Sequence, residues 1–294
     1  MASNAAKQPE QPSSGQALAQ VDVSKGMVTS EYAGLLGSAG SDFDKQDLSI
    51  PFLRILQGLS PYVTKGDPKY NKEADTGMVV ETVTPRFFSA LESEQGKGLL
   101  IIPVMYQRSY TEWAPGRGGL IKDHGSDATI MAQSKTVKGE DGKTRTITPD
   151  GNELAEAAQY YVLYAEFPDD PKAPIFFEQA ILTMAGTQWK KARDWNTNMS
   201  KVRLIAPDGR VVKNPLPFAM SYRFTTVTEQ KDENKFFGWK IAPYRFTLEL
   251  PGGEDLVKYA AEFRHLAASG KVRGVDNTDD DGIPGFDSND KPAF

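Results

Sequence analysis

The chain has 294 residues, 39% hydrophobic and 10% aromatic, enough to bury a sizeable core in one large domain or two small ones. It has no cysteine, which excludes disulfides, thiolate metal sites and cysteine nucleophiles, and a reducing compartment is the simplest setting. The net charge of -5 comes from the ends: residues 1–48 hold three bases and six acids and residues 276–294 one base and six acids, leaving 30 bases and 27 acids between. A mildly basic body with an acidic C-terminus suits a body that binds a polyanion and a tail that engages a basic partner or competes for the body's own site. A solubilising tail is the plainer alternative.

Residues 1–45 are rich in Gln, Ser, Ala and Gly and are expected to be disordered. The opening MASNAAKQPEQPSSGQALAQ lacks the apolar stretch of a secretion signal, and nowhere do 18 apolar residues run together, so neither that export route nor a membrane span is expected. The core domain is predicted over 46–270, beginning near SIPFLRILQGLSP. Short β-branched and aromatic runs follow at 77–84, 98–113, 159–167, 174–184, 218–230 and 236–250, separated by EDGK, PDG, PDDP, PDGR and KDENK. This pattern predicts a mainly antiparallel β domain, either a barrel or a sandwich. Phe176, Phe177, Phe218 and Phe224 on these runs are expected in the core.

Two helices interrupt the strands. GTQWKKARDWNTNMSK (186–201) can start at a Thr187 cap. GGEDLVKYAAEFRHLAAS (252–269) puts Leu256, Tyr259, Ala260, Phe263, Leu266 and Ala267 on one stripe, which is expected to pack on the core and deliver the chain to a flexible acidic tail over 271–294.

Catalytic constellations are mostly missing from the sequence. His124 lies in a Gly/Asp loop and His265 on the last helix, neither with a carboxylate or histidine at metal-ligand spacing beside it. GEDGKT (139–144) ends like a phosphate-binding loop, but position 137 is Val where that motif needs glycine, so Gly139–Lys143 reads as a hairpin tip. GRGG (116–119) precedes no suitable helix for a dinucleotide fold and reads as a flexible loop from which Arg117 can reach an anion. No cofactor or metal is expected, and the chemistry is expected to be binding rather than catalysis.

The chain interleaves aromatic and basic residues instead. YQRSYTEW places Tyr106, Arg108 and Tyr110 on one strand face, with Trp113 following. QWKKARDW supplies Trp189, Lys190, Lys191, Arg193 and Trp195; SYRF adds Arg223; KFFGWK adds Trp239 and Lys240. Cations that track phosphates beside flat side chains that stack on bases are how single-stranded nucleic acid is held without sequence preference. The alternative is that the aromatics are core, and for the Tyr106, Arg108, Tyr110 face both readings stay open, because a base between two tyrosines is awkward to bury. The cations of the KKAR segment are equally explained by surface solvation.

The tail carries a resemblance. DDDGIPGF, holding Asp279, Asp280, Asp281, Ile283, Pro284 and Phe286, resembles the DDDIPF ending of bacterial single-stranded DNA-binding proteins, with a glycine inserted on each side of Ile283–Pro284. The chain then runs to a second ending, DKPAF, so only Phe294 offers a free carboxylate. In that family the acidic tip docks in basic, apolar pockets of replication and repair partners. The resemblance implies recruitment of a polymerase, helicase or nuclease through one of these two aromatic plugs.

The body from about 49 to 242, with IPFLRILQGLSPYVTKGDPKY, LLIIPVMYQRSYTEW, TQWKKARDWN and FGWKI, resembles a family of phage proteins, some of them single-stranded DNA-binding and others uncharacterised. This implies an elaborated OB-like antiparallel barrel, single-stranded DNA as partner, a role in phage replication and recombination, and action in the host cytoplasm. A strand-annealing recombination protein, or a structural or host-interaction protein with no nucleic-acid role, are the alternatives. Oligomeric state is not legible.

Overall fold

The computed structural model describes residues 49–94, 98–139, 142, 144–231, 233–270, 272 and 274–275. The expected N-terminal disorder and the docking tip, Asp279 to Phe294, lie outside these residues. The strands are β1 (Ile50–Ile55), β2 (Val79–Glu81), β3 (Arg86–Phe88), β4 (Leu99–Trp113), β5 (Leu120–Gly125), β6 (Lys135–Lys138), β7 (Thr144–Ile147), β8 (Glu153–Glu166), β9 (Glu178–Ala185), β10 (Arg203–Ile205), β11 (Val211–Lys213), β12 (Met220–Lys231), β13 (Asn234–Phe246) and β14 (Gly274–Val275). The helices are α1 (Thr129–Gln133), α2 (Trp189–Ser200) and α3 (Gly253–Ala268).

The fold is mainly β. Twelve strands make one sheet that curls into a half-barrel, eight of them along the path β13-β12-β4-β8-β9-β1-β2-β3 and β5, β6, β7 and β14 beside it. Pairing is antiparallel except at β1, which lies parallel to β9 through Phe52–Ile181 and Leu53–Leu182 and parallel to β14. Past β3 the chain turns back on the far side of the curl, where Thr226 of β12 donates to Ala90 (2.7 Å) and accepts from Glu92 (3.0 Å). Side chains finish this seam. Gln57 donates to the Phe237 carbonyl (3.0 Å) and accepts from its N–H (2.9 Å), and Gln188 accepts from the Trp239 N–H (3.0 Å).

The apolar runs are explained by what covers each face. Inside the curl, Leu99, Ile101, Tyr160, Val162, Leu182, Tyr222 and Phe224 close around Trp195 of α2, which is 1% exposed. Outside it, Leu100, Ile102, Tyr161, Leu163 and Ile181 take Ala260, Phe263 and Ala267 from the α3 stripe. Both faces of β4 are therefore buried near Leu99–Ile102, which is why that stretch is continuously apolar instead of alternating. Pro103 sits in this central strand because the β4–β8 register shifts between Pro103 and Met105, where a residue without an N–H breaks no regular ladder. Gly98 enters the strand at φ +127°, and a Cβ there would stand 2.7 Å from the Phe224 carbonyl oxygen, so only glycine fits.

Beyond the curl, the outer half of β4 and the first half of β8 run on as an arm, flanked by β5 on one side and by β7 and β6 on the other. The Glu112 carboxylate is buried in it and accepts from Asn152 (2.8 Å) and Thr148 (2.9 Å), with His124 Nε2 at 2.8 Å. The Asn152 hydrogen bond, with further help from His124 and Thr148, outweighs burial and holds that carboxyl below the usual range. At the base of the curl, Arg86 donates Nη1 and Nη2 to Glu178 (2.9 and 2.6 Å), Nε to Glu81 (2.7 Å) and Nη2 to the Tyr164 hydroxyl (2.6 Å), tying β3 to β2, β8 and β9. Burial opposes its charge, but the Glu178 and Glu81 bonds and nearby Tyr164 more than offset this and hold Arg86 above its usual range.

Several expectations change. Thr187 does not cap α2: it lies in a 3-10 turn, Gly186–Gln188, that leads straight into the helix. Phe218 and Phe224 are buried and Phe177 packs on the outer core, but Phe176 is 55% exposed. His124 does have a carboxylate beside it, supplied across the β4–β5 pair rather than by local spacing. The strands flanking Gly139–Lys143 pair as a hairpin, as read. The chain beyond 271 begins inside the fold, since Gly274 and Val275 pair with Ile50 and Pro51.

Candidate nucleic-acid interface

Helix α2 spans from β9 to β12 and closes the curl with one face, leaving the other to solvent. The six-residue interval between Trp189 and Trp195 turns them in different directions. Trp195 packs against Tyr160 (ring centroids 4.4 Å), Phe224 (5.0 Å) and Tyr222 (5.5 Å). Trp189 stays half-buried at the start of the helix, and the Arg108 guanidinium of β4 stands 5.8 Å from its ring centroid. Arg108 also pairs with Glu156 (2.8 Å) and keeps a solvent-facing side chain. A hydrogen bond to Tyr106 and the Glu156 charge raise the pKa of Arg108, so it carries a permanent positive charge. Tyr106 is half-buried and leans on Tyr160 at 5.1 Å.

A cleft of about 260 Å³ separates α2 from the β12–β13 hairpin, with Trp195, Tyr222, Trp239, Val227 and Ile241 at its apolar floor and Lys191, Lys240, Asp194 and Glu229 at its rim. Burial pushes the Tyr222 phenol up to about 12, so the floor is uncharged. Lys191 pairs with Glu229, Lys240 with Glu92, and Lys190 with Asp194 (2.8 Å). The Lys190 and Lys240 pairs are largely exposed and therefore worth little, so a phosphate can compete for both amines. Arg193 is exposed and has no ion pair among the described residues.

The predicted residues divide accordingly. Tyr106, Arg108, Trp189, Lys190, Lys191, Arg193 and Lys240 gather around α2, with Trp195 and Trp239 beneath them. Trp195 (1% exposed), Trp239 (4%), Tyr110 (4%) and Trp113 (4%) are core or arm packing rather than stacking platforms, because each ring is covered by its neighbours. Trp113 packs with Ala155 in the arm, and Arg117 belongs to the adjoining 3-10 turn, Pro115–Arg117. Arg223 faces the other way: between Tyr222 and Phe224 on β12, it stacks on Phe167 at 4.4 Å, outside the curl. Reading the aromatics as one set missed that a strand and a helix distribute them over two faces. Asn198, Val227 and Ile241, which line the cleft, carried no motif to mark them.

Among the described residues no cluster of three or more His, Asp or Glu is placed to hold a metal ion, and no helix is long and apolar enough to cross a membrane. No curated protein and no solved structure matches the chain. The family model of the Pam3 phage gp34-like protein matches residues 17–273. The chain accordingly belongs to the Pam3 phage gp34-like protein family.

Proposed function

We propose that this phage protein binds single-stranded DNA without sequence preference and acts stoichiometrically, not catalytically, in phage DNA replication and recombination within the host cytoplasm. The observation that carries this reading is the surface around α2, where Arg108 stands over Trp189, Lys190 and Arg193 are exposed on the helix, and Lys191 and Lys240 edge the cleft beside it. A partly accessible indole under a guanidinium offers a base a flat partner and its phosphate a charge. Strand order adds support. In β13-β12-β4-β8-β9 neighbouring strands pair antiparallel and α2 lies between β9 and β12 in the chain, an order consistent with the OB-type reading.

The outer face of β4 and β8 is covered by α3, so the strand is assigned to the α2 side instead. The acidic tail, through Asp279, Asp280, Asp281, Ile283, Pro284 and Phe286 or the terminal Phe294, recruits a polymerase, helicase or nuclease. Titration with labelled oligo-dT at several salt concentrations tests the body. Tight binding that weakens steeply with salt is expected, and no binding at low salt would refute the reading in favour of a structural or host-interaction protein.

A further inference from the structure

Helix α2 does not end at its last turn. Lys201 follows it, and the Arg203 guanidinium donates through Nη1 to the Ser200 and Val202 carbonyls, both at 2.7 Å, clamping the β10–β11 hairpin to the helix end. This hairpin is a separate two-stranded sheet. Its register pairs Arg203 with Lys213 and Ile205 with Val211, so by strand alternation these four share one face. Ile205 is 78% exposed and Val211 52%, an apolar pair set directly outward from a pair of cations. An isolated two-stranded hairpin is marginal in water, and one that shows its aliphatic residues to solvent gains by having them covered.

Charge selects what covers them. Lys201, Arg203, Arg210 and Lys213 face a single acid, Asp208, which is spent on Arg210 at 3.3 Å across an exposed pair. On α2 and the residue that caps its end, Lys190, Arg193, Thr197 and Lys201 recur at helical spacing, all exposed, beside an element about 18 Å long. Asp194 pairs with Lys190 and Thr197 is neutral, and beyond them Lys201 leads into the cations of the hairpin.

We propose that the solvent face of α2 and the β10–β11 hairpin form one track for single-stranded DNA, with Arg203, Arg210 and Lys213 on phosphates and Ile205 and Val211 pressed on the bases. This rests on the single-stranded DNA reading above and extends its site beyond Trp189. The full chain, its Ile205→Ser/Val211→Ser variant and its Arg210→Gln/Lys213→Gln variant are titrated with labelled oligo-dT over a salt series, with circular dichroism as the folding check. The serine variant is expected to bind about tenfold more weakly with an unchanged salt slope. The glutamine variant is expected to show a slope shallower by about 1.4, since two phosphate contacts are removed.

Parent-like affinity and slope in both variants overturn the track while leaving DNA binding standing. No binding by the parent overturns the track and the reading beneath it together. A parent that self-associates in light scattering, with a monomeric serine variant of unchanged DNA affinity, also overturns it and gives the hairpin to a second copy of the chain.

Discussion

Tryptophan fluorescence offers a sharp test because the four tryptophans sit in such different places. Trp113, Trp195 and Trp239 are 4%, 1% and 4% exposed, whereas Trp189 is half-buried beside the Arg108 guanidinium. A base arriving there reaches Trp189 first and the others only if the core opens. Trp189→Phe keeps an aromatic ring under Arg108, so affinity for oligo-dT is expected to change by less than about threefold while most of the quenching disappears. Trp189→Ala removes the platform and the cation–π contact together, a loss of about 1–3 kcal/mol, or roughly 5- to 150-fold in affinity. Trp195→Phe supplies the contrast: it loosens the packing around Tyr160, Tyr222 and Phe224 and lowers stability, yet leaves the quenching amplitude intact. The assay is a titration followed at tryptophan emission, with urea unfolding for stability. Full quenching in Trp189→Phe would refute the assignment, since the contacting indole would then be one of the three that the fold covers.

Other outcomes follow from the networks. Arg86→Ala leaves Glu81, itself 5% exposed, without its cation, and is expected to cost about 3–5 kcal/mol in urea unfolding, whereas Arg86→Met/Glu81→Gln recovers much of that; equal loss in both would show the charges to be immaterial. The Glu112 carboxyl is depressed in the folded state, so its contribution is fully present above the unfolded carboxylate range near pH 4.3 and is lost as pH falls through the folded value. Glu112→Gln should therefore be less stable than the parent at pH 7 by about 1–3 kcal/mol, with a gap that narrows below about pH 4 in thermal melts. Removing residues 276–294 is expected to leave or strengthen oligo-dT affinity while abolishing capture of replication proteins in a pull-down; undiminished capture would dismiss the tail as a docking tip.

Much of the fold was legible because burial writes itself into runs of residues. LLIIPVMYQRSYTEW announced β4 almost to the residue, and the stripe from Leu256 to Ala267 announced α3. The site was less legible, because direction is a property of the folded chain. In QWKKARDW one indole is fully buried and the other only partly covered at the core's edge, and in YQRSYTEW the arm buries Tyr110 while Arg108, two residues earlier, stays exposed. The Glu112–His124 contact depends on β5 folding back on β4, which no local spacing encodes. PDGR served only as a turn between runs, although the short alternating segments around it, RLI and VVK, are a basic hairpin in their own right.

The seam of the curl has its own consequence. Where Gln57 and Gln188 bond to β13, an amide side chain stands in for a neighbouring strand. Such a closure is held by rotatable groups, so it releases one bond at a time where a ladder would part as a unit. The amides of Phe237 and Trp239 should therefore exchange with deuterium sooner than those of β8, and Gln57→Ala should speed Phe237 without touching the rest. The same two side chains also occupy hydrogen-bonding positions that an incoming strand would need, guarding that part of the β13 edge against strand addition from another molecule.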